Sequence, residues 1–378
     1  MKKFIKITSL LLFLCMIFAL TACSTPNQPV DPPAPPASSE PVTPVELESP
    51  ATPLSSGTRI VTDMSGQDVE VPQEVRAIIN LWHANNQVVL LLGGADKLVG
   101  TTQMIKDLPW FSHVYPRIAD VQAYALQSGS GNFNTEEILA ADPDVVITSS
   151  ADDAGVLRNA GITTVMTMFY DFDGLKECVR VTAQTLGGDA PARAEEFCAY
   201  FDGNLKLLSD RLSSLSDDEK IKVYEIRSQN PLQTDGKISI CTQWVEAAGG
   251  VNVAAQMTDD NSSEVVLEEI IAADPEVIIV ATQNAQPVID QIKNDPAWSS
   301  IKAIQEDRIY ANPVGTFLWS RYSCEEALQV LWMAKTLHPD KFTDLDMVQT
   351  VRDFYKQFYD FDMTEENAEL MLQGLDPQ

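Results

Sequence analysis

Two short clusters of histidine, arginine and aromatic side chains are the residues of this sequence best suited to hold a small molecule. Trp82 and His83 directly follow an apolar segment predicted as a strand, and Trp319, Arg321 and Tyr322 precede a helical segment. A neutral imidazole is a common metal ligand, and a guanidinium binds a carboxylate through two parallel hydrogen bonds. Aromatic rings add an apolar wall. These residue types therefore suit a site for a small ligand that carries anionic groups or a metal centre.

Each candidate also has an ordinary structural role to weigh against binding. A lone histidine in a loop is often only solvated, and Arg321 can pair with Glu325 or Glu326 on the following helix. Three aromatic residues in or beside loops of the first half are further candidates: Trp110, Tyr124 and Tyr170. Core packing is their alternative, because aromatic side chains fill protein interiors as readily as binding sites.

An internal repeat predicts the elements that position these residues. The segment EEILAADPDVVI at 136–147 returns as EEIIAADPEVII at 268–279, with nine identities in twelve positions. In each copy a short helix ends at Asp-Pro, since proline lacks an N–H and disfavours helical geometry before it. The β-branched run that follows is typical of a strand buried in a parallel sheet. A step of 132 residues is too long for a solenoid, so the repeat indicates two α/β lobes with a cleft between them.

The N-terminus predicts export and lipidation. Three lysines precede the apolar run 7–20, a pattern typical of a secretory signal peptide. The run ends in Leu20-Thr21-Ala22-Cys23, which resembles a bacterial lipobox and implies cleavage after Ala22 and acylation of Cys23. An ordinary signal peptide with an incidental cysteine is the alternative. Residues 24–57 hold ten of the 22 prolines and no basic or aromatic residue, so we expect an extended tether.

The net charge and the content of histidine and cysteine limit the ligands and partners that the protein can bind. The formal net charge of −28 argues against nucleic acid, which requires a basic face. Only three histidines are present, which disfavours a dedicated zinc or manganese receptor. The cysteines after residue 57 lack the paired spacing of a zinc site. Disulfides Cys178–Cys198 and Cys241–Cys324 stay open as alternatives to four buried thiols.

Several segments, taken in order and spacing, resemble the substrate-binding proteins of ABC importers for iron chelates, haem and cobalamin. They include RIVTDMSGQDVEVP, LLGGADKLVG, NTEEILAADPDVVI, AAGGVNVA, DPAWSSIKAIQEDRIYANP and ALQVLWMAKTLHPDKF. The resemblance covers roughly 59–378. It implies an α/β fold of two Rossmann-like lobes joined by one long rigid helix, with a ligand cleft between the lobes. A membrane permease is the implied partner.

The resemblance also assigns roles to individual residues. His83 matches the pocket loop of the family, where it is a possible ligand to a chelated metal, and Arg227 is expected to face the same cleft from the second lobe. Glu136 and Glu268 match the positions at which one glutamate of each lobe pairs with arginines of the permease. Their neighbours Glu137 and Glu269 are alternatives.

The sequence therefore predicts a monomeric, lipid-anchored protein on the outer face of the membrane that captures an iron–siderophore, haem or corrinoid chelate for an ABC permease. No intrinsic cofactor and no catalysis are expected, because the motifs GxSxG, HExxH and the Walker loop are missing from the sequence. A chelate sensor or adhesin without a permease, or a secreted lipoprotein enzyme, is the alternative. The predicted boundaries are 1–22 for the signal peptide, 23–57 for the lipidated cysteine and tether, 58–172 for the first lobe, 173–215 for the connecting helix and 216–378 for the second lobe.

Overall fold

The computed structural model describes residues 57–124 and 133–378. The predicted signal peptide, Cys23 and the tether up to residue 56 lie outside these ranges. All described residues belong to one structural unit, Pro53–Gln378. Within them, no helix combines the length and the apolar character needed to cross a bilayer.

The first half of the described chain forms a hairpin and a parallel sheet. The hairpin pairs β1 (Thr58–Thr62) with β2 (Asp68–Pro72). The sheet strands are β3 (Ile78–Asn80), β4 (Leu98–Thr102), β5 (Gln122–Tyr124), β6 (Val145–Thr148) and β7 (Thr164–Met166). They lie in the order β5-β4-β3-β6-β7, and every neighbouring pair is parallel.

The second half forms another parallel sheet with the same arrangement around its centre. Its elements are β8 (Ile221–Ile226), β9 (Gln233–Thr234), β10 (Gly250–Asn252), β11 (Ser263–Glu264), β12 (Val277–Val280) and β13 (Ile309–Ala311). The main sheet has the order β10-β8-β12-β13, while β9 and β11 form a short antiparallel pair. Two parallel sheets in one chain confirm the predicted α/β fold of two lobes.

Fourteen α-helices of the described residues surround these sheets. They are α1 (Asn85–Leu91), α2 (Gln103–Lys106), α3 (Pro109–Val114), α4 (Thr135–Ala140), α5 (Ala151–Asn159), α6 (Phe172–Leu186), α7 (Ala190–Leu212), α8 (Ile240–Ala247), α9 (Leu267–Ala273), α10 (Gln286–Asn294), α11 (Lys302–Gln305), α12 (Glu326–Leu337), α13 (Met347–Tyr359) and α14 (Glu365–Leu372).

The sequence repeat corresponds to matching structure. In the first copy α4 leads into β6, which lies between β3 and β7, and in the second α9 leads into β12, which lies between β8 and β13. Asp142 and Asp274 both adopt positive φ, 48° and 47°, in the turn that joins helix to strand. The Asp144 carboxylate accepts the N–H of Ala77, next to β3, at 2.9 Å, and the Glu276 carboxylate accepts the N–H of Lys222, in β8, at 3.1 Å. These acidic residues therefore stabilise the turns that lead from helix to strand.

The span 173–215, expected to be helical and to connect the lobes, forms two helices that are separated at Gly187 and Gly188. α6 ends where Gly187 and Gly188 take φ values of 69° and 59°, a region that suits glycine because it has no Cβ. α6 packs on α1 and β1 of the first half, whereas α7 packs on α6 and also on α8 and α12. The connecting helix is thus α7 alone, and α6 belongs to the first half.

Four free, buried cysteines settle the question that the sequence left open. Cys178, Cys198, Cys241 and Cys324 form no disulfide. Burial raises the pKa of the Cys178 thiol to about 12, and Asn85 donates a hydrogen bond to its sulfur at 3.4 Å. These thiols act as small core side chains.

Candidate functional site

Aromatic side chains from both halves of the chain meet at the carboxyl ends of the strands. We define the aromatic cluster as Trp82, Phe169, Tyr170 and Tyr322. Trp82 follows β3, Phe169 and Tyr170 follow β7, and Tyr322 precedes α12. The ring centroids of Tyr322 lie 6.4 Å from Trp82, 5.8 Å from Phe169 and 6.3 Å from Tyr170, all edge to face. The carboxyl edge of an open parallel sheet is where such folds bind ligands, so the cluster marks a candidate site between the lobes.

His83 lies opposite a second residue of the loop that carries Tyr322. Its ring is 5.6 Å from that of Phe317. Burial lowers the pKa of His83 below its usual 6.5, so the imidazole is neutral at pH 7. None of the hydrogen bonds among the described residues occupies its ring nitrogens. A neutral imidazole with a free lone pair is suited to metal coordination.

Beside the aromatic cluster lies a buried group of four charged residues, which we define as the charge cluster: Glu225, Arg227, Asp235 and Arg321. Nη1 of Arg227 contacts Oδ1 of Asp235 at 2.5 Å. Nη1 of Arg321 lies 3.5 Å from Glu225 and 3.9 Å from Asp235, while its Nη2 donates to the Arg227 carbonyl at 2.7 Å. Glu225 is the most deeply buried of the four, with 1 % of its side chain exposed against 13 % for Arg321.

The charge cluster favours an anion over a cation. Burial raises the pKa of Glu225 well above its usual value, and the charge of Asp235 adds to the effect, although both arginines oppose it. Burial also raises the pKa of Asp235. Two ionised carboxylates balance the two guanidinium groups, so each proton that the carboxylates hold leaves one positive charge in excess.

A cation site at the same place is disfavoured. The oxygens of Glu225 and Asp235 lie within 4.8 Å of the Cys241 sulfur, a grouping that resembles a metal site in its donor atoms. However, burial raises the pKa of the Cys241 thiol well above its usual value, so it lacks the thiolate that binds metals. Arg227 and Arg321 add repulsion.

The structure corrects the alternative role considered for Arg321. It pairs with Glu225 and Asp235, whereas Glu325 accepts hydrogen bonds from Thr316 and Tyr355. Among the described residues, Glu326 forms no ion pair with Arg321. Pairing of Arg321 with the following helix is therefore wrong.

Three predicted site residues lie in the core. Trp110, 1 % exposed, donates its indole N–H to the Leu375 carbonyl at 2.9 Å and stacks edge to face on His113. We therefore remove Trp110 from the candidate site. Tyr124, at the end of β5, belongs to a buried apolar group with Ile79 and Leu81. Trp319 is fully buried, and its indole N–H has no partner in the described part of the chain.

Four residues of the site were missed by the sequence analysis: Phe169, Glu225, Asp235 and Phe317. A signal existed for Glu225, because it is an acidic residue inside the apolar strand IKVYEI, and acidic residues are rarely buried unless they are paired. The two phenylalanines carried no such signal, since phenylalanine is equally common in cores.

Glu136 and Glu268 occupy equivalent exposed positions in the first turns of α4 and α9. Neither makes an ion pair with another described residue. Each helix is followed after a short turn by its strand, so its first turn lies toward the carboxyl end of that strand. Both glutamates are thus on the edge of their sheet where the candidate site lies.

Comparison with known proteins finds similarity to substrate-binding proteins of transporters. The periplasmic binding protein family matches residues 78–313. The molybdate-binding protein MolA of Haemophilus influenzae is 27 % identical over 82 % of this chain and 93 % of MolA. The substrate-binding lipoprotein YvrC of a Bacillus subtilis ABC transporter, itself uncharacterised, is 26 % identical over 75 % of this chain and 87 % of YvrC.

A solved structure shares the fold. The periplasmic solute binding protein of Veillonella parvula aligns with a TM-score of 0.71 and 25 % identity, covering 84 % of this chain and 97 % of that chain. The family consists of extracytoplasmic transport proteins that deliver small ligands to an ABC permease; they are not enzymes, and what they carry is cargo rather than a cofactor. Because the family match spans more than half of the 378 residues, this chain belongs to the periplasmic binding protein family.

Proposed function

We propose that this protein is a lipid-anchored receptor on the outer face of the membrane that captures an anionic metal chelate between its lobes and delivers it to an ABC permease. The observation that carries the proposal is the position of the charge cluster beside the aromatic cluster. Arg321 and Tyr322 are adjacent in sequence, so the guanidinium and the aromatic wall serve one binding surface.

The chemistry of the two clusters supports a chelate as the ligand. Tyr170 and Tyr322, which are half-exposed and partly exposed, suit the flat or apolar parts of a bulky organic ligand, while the buried rings of Trp82 and Phe169 pack against Tyr322. The arginine pair suits its carboxylate or other anionic donors. Neutral His83 suits an open coordination position on the metal. Iron–siderophore, haem and corrinoid complexes all fit this description.

A metal oxyanion is a second candidate. MolA is named for molybdate, and its similarity covers most of both chains. Molybdate is small and doubly charged, so the charge cluster suits it while most of the aromatic wall is superfluous. The two candidates therefore differ in the part of the site that they use.

The anchor and the permease contact are proposed on separate grounds. The lipobox ending at Cys23 supports the anchor, and two or more acyl chains are needed for stable membrane attachment. Glu136 and Glu268 are exposed and occupy equivalent positions in the two lobes. This arrangement supports docking on the permease, with one carboxylate of each lobe paired to a permease arginine. We expect the protein to act as a monomer.

The test begins with the protein purified from its own cells. Elemental analysis and absorbance spectra identify any bound metal or chromophore. Isothermal titration of the ligand-free protein with molybdate, ferric citrate, haem and cobalamin then measures affinity. We expect tight binding of one anionic metal species. Binding of none of the four would contradict the proposed ligand class. Equal affinity after Arg321→Ala and Tyr322→Ala would show that the ligand binds elsewhere.

A further inference from the structure

The loop between β13 and α12 carries three residues of the candidate site, Phe317, Arg321 and Tyr322, yet it has almost no regular structure. Its one bridge within the described residues joins Val314 to Leu318. Some other interaction must therefore hold the loop in place, because a segment without a hydrogen-bond ladder has many conformations of similar energy.

A buried carboxylate at the end of the loop provides that interaction. Glu325 is fully buried. Its Oε1 accepts the backbone N–H and the hydroxyl of Thr316, at 3.1 and 3.0 Å, and the hydroxyl of Tyr355. Its Oε2 accepts the Phe317 N–H at 3.3 Å and the Ser323 hydroxyl at 3.4 Å. One side chain thus joins both ends of the loop to α13.

The loop backbone is shaped to approach this carboxylate closely. A Cβ built on Gly315 would lie 2.5 Å from both oxygens of Glu325 and 2.5 Å from the Tyr355 hydroxyl. Such distances are too short for any side chain, and the neighbours are buried and hydrogen-bonded. Glycine is therefore required here for close approach.

The same network reaches the first half of the chain. The Tyr359 hydroxyl lies 3.2 Å from the Thr316 hydroxyl and donates to Oε1 of Gln87 on α1 at 3.3 Å. Gln87 also accepts the Cys324 N–H at 3.2 Å and donates to the Tyr322 carbonyl at 3.4 Å. The loop is fixed from both sides of the candidate cleft.

We propose that Glu325 is a positioning residue of the ligand site, whose carboxylate holds the loop 313–323 so that Phe317 and Arg321 stand in binding geometry. The proposal rests on the proposed function insofar as the cleft is the ligand site. Glu325 itself contacts neither cluster and acts only through the loop.

The network contains one group that changes its charge near neutral pH. Burial raises the pKa of Glu325 to about 7, although the hydrogen bonds from Tyr355, Thr316 and Phe317 oppose the rise. The titratable groups beside it are Tyr355, Tyr359 and Cys324, whose pKa values lie well above their usual ones. No described basic side chain forms an ion pair with it, and His83, across the ring of Phe317, titrates below 6.5.

Protonation of Glu325 has opposite effects on the loop and on the fold. The protonated carboxyl group of Glu325 carries an O–H that faces the N–H and O–H donors around it. The backbone N–H groups of the loop therefore have a weaker hydrogen-bond acceptor below about pH 7. Because the folded-state pKa lies above the usual 4.5, the fold favours the protonated form. The contribution of Glu325 to the free energy of unfolding is therefore largest below pH 4.5 and falls as pH rises through 7.

Hydrogen–deuterium exchange of peptides covering 313–323, without ligand, tests the proposal. In the wild type we expect the protection factors of the loop amides, corrected for intrinsic exchange, to be about fivefold greater at pH 8 than at pH 6. This ratio corresponds to the difference in strength between a hydrogen bond to a charged acceptor and one to a neutral acceptor. Glu325→Gln should abolish this difference. Tyr355→Phe removes one stabilising donor, so it should move the midpoint to higher pH, and it keeps the test decisive if the glutamine variant does not fold.

Glu326→Gln is the matched control. Glu326 is equally buried, and burial raises its pKa well above its usual value, although the backbone N–H groups of Ser323 and Tyr322 oppose the rise. We expect this variant to keep the wild-type profile. An unchanged profile in Glu325→Gln, or no pH dependence in the wild type, overturns the proposal.

Titration with sodium molybdate, ferric citrate, haem and cobalamin at pH 8 separates this proposal from the proposed function. Glu325→Gln should lower the affinity for the bound probe about fivefold. If exchange behaves as expected and the wild type binds none of the four probes, the positioning role in the loop stands and the proposed ligand class fails. If exchange behaves as expected while affinity is unchanged, the loop does not serve the ligand and the proposal is overturned.

Discussion

Replacing Arg321 by alanine should weaken ligand binding far more than it destabilises the ligand-free protein. The reason lies in the two ends of its guanidinium. Nη2 is committed to the Arg227 carbonyl at 2.7 Å. Nη1 is buried without a hydrogen-bond partner in the described part of the chain, and its nearest carboxylate oxygens are 3.5 and 3.9 Å away. Nη1 is thus the guanidinium nitrogen whose hydrogen-bonding capacity is unused among the described residues.

The expected magnitudes follow from this geometry. A hydrogen bond to a charged group contributes about 1.5 to 3 kcal/mol, which corresponds to a loss of roughly 10- to 150-fold in affinity. The cost to the fold is smaller, because the raised pKa of Glu225 lets that carboxyl group become neutral when its partner is removed. We expect about 1 kcal/mol, or a fall of about 2 to 4 °C in thermal midpoint.

Isothermal titration gives the affinity, with whichever of molybdate, ferric citrate, haem or cobalamin the wild type binds. Calorimetry without ligand gives the thermal midpoint. Arg180→Ala is the control. Arg180 lies on the exposed side of α6 and forms a bidentate ion pair with Glu195 of α7, at 2.7 and 3.1 Å. Surface pairs contribute at most about 1 kcal/mol, and affinity should not change.

Two results would refute the reasoning. If Arg321→Ala and Arg180→Ala bind equally well, Arg321 does not contact the ligand. If the midpoint of Arg321→Ala falls by ten degrees or more, the charge cluster is a structural element, and any loss of binding reflects the damaged fold.

Four further predictions follow from the sequence and the site. Cys23→Ser should release the protein from the membrane fraction with its fold intact; tight retention of the variant would contradict the lipid anchor. Glu136→Ala and Glu268→Ala, alone and together, should reduce uptake without changing affinity, whereas a parallel loss of affinity would assign them to the pocket. Glu225→Gln should strengthen anion binding at pH 8 and flatten its pH dependence. The reason is that protonation of Glu225 frees Arg321, so the affinity of the wild type should rise as pH falls; a steeper pH dependence in the variant would contradict this role of Glu225. His83→Ala should weaken a chelate with an open coordination position about tenfold and leave molybdate binding unchanged, so equal losses for both ligands would exclude coordination by His83.

The position of the candidate site within the chain was predictable because it depends on local order. A strand followed by a loop places the loop residue at the carboxyl edge of a parallel sheet, and this rule selected Trp82 and His83 as candidates. It also identified Arg321 and Tyr322, which stand just before a helix. The same rule could not reject Trp110, because an aromatic residue in a loop region is a binding residue or a core residue according to what packs on it.

The partners of Arg321 were not predictable. Glu325 and Glu326 are four and five residues away along the chain, whereas Glu225 and Asp235 are about ninety, and sequence separation favoured the nearer pair. The fold reverses that order, because β8 carries Glu225 into the centre of the second sheet. Glu325 in turn is occupied by the loop that precedes it.

By itself the sequence determined the two α/β halves, the repeat that relates them and the proline stops between helix and strand, because period, β-branching and backbone restriction act over a few residues. It also contained the break at Gly187 and Gly188. Only the tertiary structure decided that this break separates two helices, that the cysteines stay unpaired and that Arg321 meets Glu225. Those outcomes depend on distances between residues far apart in the chain, which are set by the packing of whole sheets and helices rather than by any local preference.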